Sequence, residues 1–234
     1  MDLSDYSAMK CFQRKCGFME FGPVRYADGL TLQDEAQSRV ASGEWDGIII
    51  LLQHTPVISF GNGGGKEHLC ATNQQLESQG IEVVSAGRGG NVTCHNPGQL
   101  VGYPVLNLEK WQKDVHWYVN MLEEVLILTL AEYGLQTGRK ARYSGVWTGD
   151  EKIAALGVSV RRWLTGHGFA LNIRNNLKLF DSIVPCGISE FGVTSMLKKG
   201  FDVELDSVIG TCLRMFSLVF QCELQQMKGL TTLT

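Results

Sequence analysis

The sequence predicts an α+β fold: a single domain with a mixed, mostly antiparallel sheet flanked by helices. Three observations predict it. Apolar residues recur at helical spacing in three separated stretches, 26–42, 116–133 and 203–220. Residues 47–53, GIIILLQ, form a continuous apolar run rich in β-branched side chains, the pattern of a buried central strand. From Gly145 to Asn172, strand-forming runs are separated by tight turns such as Gly149-Asp150, which favours antiparallel hairpins over a regular strand-helix-strand alternation.

Taken in order, residues 1 to about 20 read as an irregular N-terminal extension, and 21–234 as one domain. In the first helix Leu30, Leu32, Ala36 and Val40 share a face, and Gly43 ends it. The strand at 47–53 stops at His54-Thr55-Pro56. After Val57–Phe60 comes Gly61-Asn62-Gly63-Gly64-Gly65-Lys66, which invites a phosphate-loop reading but fails on spacing. A P-loop needs Gly where Phe60 stands and Ser or Thr where Glu67 stands, and a dinucleotide loop needs Gly where Lys66 stands. A loop beside a site is the better reading. A short helix over 72–79 ends at Gly80, and 81–85 and 100–107 are strands. The helix over 116–133 carries Trp117, Met121, Leu122, Val125 and Leu128 mostly on one face, a core stripe, and ends at Gly134. The tail from Gln221 is uninformative.

With 44% hydrophobic and 19% charged residues, the chain has ample material for a core and is not disordered. A net charge of -3 without a basic block excludes the electrostatic footprint of a nucleic-acid binder. Residues 1–17 carry no apolar run of signal-peptide length and nowhere do about 18 uncharged apolar residues follow one another, so a cytoplasmic protein without membrane attachment is expected. Seven scattered cysteines suggest free thiols in a reducing compartment, and the Cys11–Cys16 pair has no second pair to make a zinc site.

Two blocks carry reactive side chains among small and apolar neighbours. In 152–157, KIAALG, a Lys among Ile, Ala and Leu is expected to be partly desolvated, which favours the neutral amine and suits it to accept a proton. In 183–188, IVPCGI, Cys186 lies between a Pro that fixes its own φ and a Gly without a side chain, a setting that can present a nucleophilic thiolate. Alone, each block has an ordinary reading: Cys186 as a small buried hydrophobe, Lys152 as a solvated residue after a turn.

Together with their surroundings they say more. Residues 142–147 (RYSGVW), 152–160 (KIAALGVSV), 167–172 (HGFALN) and IVPCGI with 192–195 (GVTS), preceded by 88–101 (RGGNVTCHNPGQLV), resemble the lipoyl(octanoyl) transferase family of lipoate biosynthesis. The resemblance runs from about Tyr26 to about Thr194. It implies the fold shared with biotin and lipoate protein ligases, Cys186 and Lys152 as catalytic residues, and no cofactor. It also implies an acyl site drawn from Arg88, Gly89, Gly90, Asn91, Val92 and His95, from Ala154, Ala155, Leu156 and Gly157, and from His167, Gly168, Phe169 and Ala170. Three departures stand out: Cys94 where the family mostly has Tyr, Asn96 where it mostly has Gly, and no basic residue after Gly61.

The implied partners are octanoyl-acyl carrier protein as donor, and lipoyl domains of 2-oxoacid dehydrogenase subunits or the glycine-cleavage H protein as acceptors. Cys186 would carry the acyl group as a thioester, Lys152 would move the proton, and backbone N–H groups around Gly187 or the Gly89-Gly90 turn are candidate oxyanion donors. Val92, Leu156, Val158 and Phe169 could line an apolar groove. A Cys94 thiol beside that groove could pair with Cys186. Two other readings use the same fold: an ATP-dependent lipoate or biotin ligase, disfavoured by Asn91 in place of a third Gly, and a non-catalytic lipoyl-domain or carrier-binding module, disfavoured by the presence of both Lys152 and Cys186.

Overall fold

The computed structural model describes residues 14–184 and 190–227. Along the chain lie β1 (Arg14–Val24), α1 (Tyr26–Ala41), β2 (Gly47–His54), β3 (Val57–Phe60), α2 (Asn73–Ser78), β4 (Glu82–Ser85) and β5 (Val92–His95). Then come β6 (Gln99–Leu106), α3 (Val115–Ala131), β7 (Gly138–Lys140), β8 (Tyr143–Thr148), β9 (Glu151–Arg161), β10 (Leu164–Asn172), β11 (Gly192–Val193), α4 (Leu205–Phe220) and β12 (Cys222–Gln226).

The main sheet has the order β12-β1-β2-β6-β10-β9-β8-β7, with β11 beside β9. The pairs β12–β1, β1–β2 and β11–β9 are parallel and the rest antiparallel, so the sheet is mixed and mostly antiparallel. A second sheet, β4-β3-β5, stands apart from it.

The unbroken apolar run of β2 follows from coverage of both its faces. Ile49 and Leu51 pack into a core with Leu122, Val125 and Leu126 of α3 and Met215 and Phe216 of α4. Ile48, Ile50 and Leu52 pack with Leu32, Ala36 and Val40 of α1. A strand solvated on one face would alternate instead. Helix starts are fixed locally. Asp114 Oδ1 accepts from His116 N at 2.8 Å and Trp117 N at 3.1 Å to open α3, and Thr72 and Gln75 form a reciprocal capping box on α2.

Two expectations are corrected. Residues 14–20, read as irregular, are part of β1, whose residues pair in parallel with β2 and β12. Residues 222–226, read as uninformative, are the edge strand β12. Parallel pairing across the whole chain leaves no local turn signal, and β1 has no clean alternation of buried and exposed residues.

Candidate active site

One cavity lies where β5 and the 88–91 loop cover the face of β6, β10 and β9, with Tyr26 of α1 closing one side. Its empty space, counted out to the solvent at the mouth, is about 470 Å³. The roof contributes Arg88, Gly90, Asn91, Val92 and His95, β9 contributes Ala155, Leu156 and Gly157, and β10 contributes His167, Gly168, Phe169 and Ala170. Two of the expected residues are not in the wall. Ala154 is fully buried in the core against Leu171 and Val146, on the side of α3. Gly89 backs the loop, its N–H donating to Val158 O at 2.9 Å, which removes that group as an oxyanion donor. Val158, a candidate for the groove, packs into the same core as Ala154. Sequence reasoning missed Tyr26, Thr93, Val101 and Tyr103, all in the wall; for Val101 and Tyr103 the two-residue period of a strand was the available signal.

Glycines bring the roof down onto the sheet. A Cβ on Gly157 would stand 3.0 Å from Gly89 O and 3.1 Å from Arg88 Cδ. Arg88 itself is buried, with Nη2 donating to Ser59 O at 2.6 Å and Ser59 Oγ at 2.9 Å, and Nη1 to Gly89 O at 3.1 Å. Its charge therefore organises the roof. The Gly61–Gly65 loop is fastened to the same turn: Gly61 N donates to Asn91 O, Asn62 N to Arg88 O and Gly63 N to Gly90 O. With those donors spent on carbonyls, they cannot cradle a phosphate.

Besides Arg88, Asn91 and Thr93, the polar side chains of the wall are the imidazoles of His95 and His167 and the phenols of Tyr26 and Tyr103, with His54 bonded to Tyr103. His95 is pushed down to about 3 by burial, with nearby His54 adding to it and Gln99 opposing. His54 falls to about 4 through burial, opposed by Val24 O, and His167 to about 4 through burial and then Arg88. His54 Nδ1 lies 3.1 Å from Val24 O and must donate to it, so Nε2 accepts from Tyr103 OH at 2.6 Å. His167 has φ +54, in the left-handed region, and its N–H donates to Gln33 Oε1 of α1 at 2.7 Å.

Lys152 lines a smaller pocket that shares Thr93, Ala155 and Ala170 with the main cavity and adds Gln99, Asn172, Phe180 and Val193. It is 9% exposed, with Nζ 4.8 Å from the centre of the Trp147 ring. Gly145, at φ +127, makes room for it: a Cβ there would lie 3.3 Å from Lys152 Cε and 2.7 Å from Ala154 O. Pro185, Cys186, Gly187, Ile188 and Ser189 lie outside the described residues. The chain leading to them ends at Val184, whose N–H donates to His68 O at 2.8 Å. The chain leaving them reaches Val193, the pairing partner of Lys152, and Thr194, whose N–H donates to Lys152 O at 3.0 Å. Cys94 is 1% exposed in the core of the small sheet with Ile58, Leu76 and Leu179, not in the cavity wall, so it is not a thiol beside the groove.

The family model of the lipoyl protein ligase A/B catalytic domain matches residues 25–217. The chain belongs to that family. It is 47% identical over 212 residues to an octanoyltransferase of Clostridium kluyveri, covering 90% of this chain and 91% of that one. Among solved structures, it superposes on Ta0514, a putative lipoate protein ligase of Thermoplasma acidophilum, with TM-score 0.73 at 15% identity, covering 93% and 90% of the two chains. A structure described as a bipartite lipoate protein ligase and its E2 lipoyl domain from the same organism gives TM-score 0.71 at 16% identity, covering 95% and 89%. The fold is thus that of the lipoate protein ligases. Within the family, this member is a transferase enzyme that moves an octanoyl group in lipoate biosynthesis. Among the described residues, no helix is long and apolar enough to cross a membrane.

Proposed function

We propose that this family member takes octanoyl from acyl carrier protein, holds it as a thioester on Cys186, and passes it to a lysine of a lipoyl domain in the cytoplasm, where a reduced thiol persists. The observation that carries the reading is that the apolar cavity and the pocket of Lys152 are adjacent, sharing Thr93, Ala155 and Ala170, with the chain that leaves Cys186 paired directly to the Lys152 strand. In the first half-reaction the Cys186 thiolate attacks the carbonyl carbon of the carrier thioester. A new C–S bond forms as the old one breaks, and Lys152 returns the Cys186 proton to the departing carrier thiolate. In the second, the acceptor ε-amine attacks the acyl-enzyme, a C–N bond replaces the C–S bond, and Lys152 moves the amine proton to Cys186. Forming an amide from a thioester is downhill, so no nucleotide is consumed. The acyl chain lies along Val92, Leu156, Phe169 and Ala170. A lipoyl-domain acceptor agrees with the E2 lipoyl domain named with the Thermoplasma structure; a 2-oxoacid dehydrogenase subunit and the glycine-cleavage H protein are both candidates.

The test is intact-mass analysis after incubation with octanoyl-carrier protein, without ATP or acceptor. One added octanoyl group is expected. It should be absent in Cys186→Ala, slow to form in Lys152→Ala, and lost from the wild type when a lipoyl domain is added. Absence of the adduct, with acyl transfer appearing only on supplying ATP and free octanoate, would instead make the protein a ligase.

A further inference from the structure

The acyl cavity and the strand of Lys152 are joined by a line of buried side-chain amides with no role in the reaction so far. Asn172 is 4% exposed and Gln99 1%. Asn172 Nδ2 donates to Thr194 O at 3.0 Å, so its Oδ1 faces the other way and accepts from Gln99 Nε2 at 2.8 Å and Asn175 Nδ2 at 3.1 Å. Gln99 Nε2 also donates to Cys94 O at 3.3 Å. Two backbone carbonyls, which can only accept, therefore fix the orientation of both amides. Gln99 Oε1 is left facing His95 Nδ1 at 2.8 Å. That nitrogen must carry the proton, and Nε2 of the neutral ring keeps its lone pair. At the other end, Thr194 is bonded through its N–H to Lys152 O. Thr194 directly follows β11, whose Val193 pairs with Lys152.

We propose that Gln99 and Asn172 are positioning residues: Gln99 sets His95 in the Nδ1–H tautomer within the acyl cavity, and Asn172 fastens Thr194, whose N–H is bonded to Lys152 O, to β10. The Asn172 half rests on the reaction proposed above; the Gln99 half stands on hydrogen-bond polarity alone.

The experiment is paired. Imidazole ¹⁵N correlation spectra report the His95 tautomer, and rapid-quench acylation by octanoyl-carrier protein reports the first half-reaction. Wild type should show one His95 tautomer, protonated on Nδ1. Gln99→Leu should mix the two tautomers. Asn172→Leu should slow acylation about 10²-fold, the cost of a misplacement near 1 Å, with little change in the donor KM. A wild-type His95 protonated on Nε2 overturns the proposal without any variant, as does a cooperatively folded Gln99→Leu that keeps one tautomer, or a folded Asn172→Leu that acylates at the wild-type rate. An inactive wild type with the Nδ1–H tautomer would sink the Asn172 half along with the reaction assignment and uphold the Gln99 half.

Discussion

Lys152 holds its Nζ 4.8 Å from the centre of the Trp147 ring, and Lys140 approaches the same ring at 5.4 Å. Trp147 and Lys152 are also direct partners across β8 and β9, next to a register shift between Val146 and Trp147. The indole thus limits the directions in which a flexible four-carbon stem can point. When Lys152 carries the transferred proton, the ammonium over the indole face gains roughly 0.5–2 kcal/mol, enough to favour this side-chain orientation. Replacing Trp147 with Leu keeps an apolar neighbour and removes the ring face. The expected result is an acylation rate about tenfold lower with an unchanged donor KM. Rapid-quench kinetics on the folded variant checks this, and a wild-type rate would mean the ring is only packing.

Three buried histidines, His95 and His167 in the cavity wall and His54 against Tyr103, make stability depend on pH. Each has a folded value below the ordinary 6.5: His54 and His167 at about 4, His95 at about 3. Above 6.5 they are neutral in both folded and unfolded chains and contribute no slope. As pH falls below 6.5, the unfolded chain binds their protons first, so stability falls until the folded values are passed. For His54 alone the loss is on the order of 3 kcal/mol. Glu151, held low by Lys198 and Lys199, adds the same sign of effect only in the carboxylate range. Urea midpoints across pH 7.5 to 4.5 should therefore drop steeply for wild type and less for His54→Gln, whose amide can still accept from Tyr103. Equal slopes for the two proteins would show that His54 titrates normally.

How much of this was legible differs between fold and site for physical reasons. The 47–53 strand and the α3 stripe were readable because burial on both faces and on one face leave different periods in the sequence. The Gly149-Asp150 turn was readable because Gly149 sits at φ +59. β1 and β12 were not, since the register Arg14↔Cys222 joins opposite ends of the chain. In the site, the glycine-rich turn around Arg88 could be picked out because Gly87, Gly89 and Gly90 let the backbone turn sharply and come close to a bound group, and Asn91, Val92 and Ala155–Gly157 through the family resemblance. Tyr26, Gln99 and Asn172 could not. A residue opening a helix and two amides in buried strands look ordinary until the pairing of β6 with β10 brings Gln99 opposite Asn172.

Ala170 sets how deep the cavity runs. It is 5% exposed, belongs to both the main cavity and the Lys152 pocket, and packs among Val101, Tyr103 and Ile50. Behind it Tyr103 is pinned by its bond to His54, and Gly29 of α1 backs that histidine so closely that a Cβ there would lie 2.7 Å from His54 Cε1. The wall cannot retreat. Enlarging Ala170 to Leu must then take volume from the cavity rather than from the core behind it. Each methylene matched or excluded in such a pocket is worth about 1–3 kcal/mol, or 10–200-fold in kcat/KM. Ala170→Leu should lose at least about tenfold in acylation by octanoyl-carrier protein while a donor two carbons shorter is used comparatively well. Competition between the two donors, read by intact mass of the acyl-enzyme, measures the ratio directly. An unchanged preference would place the acyl chain elsewhere than over Ala170.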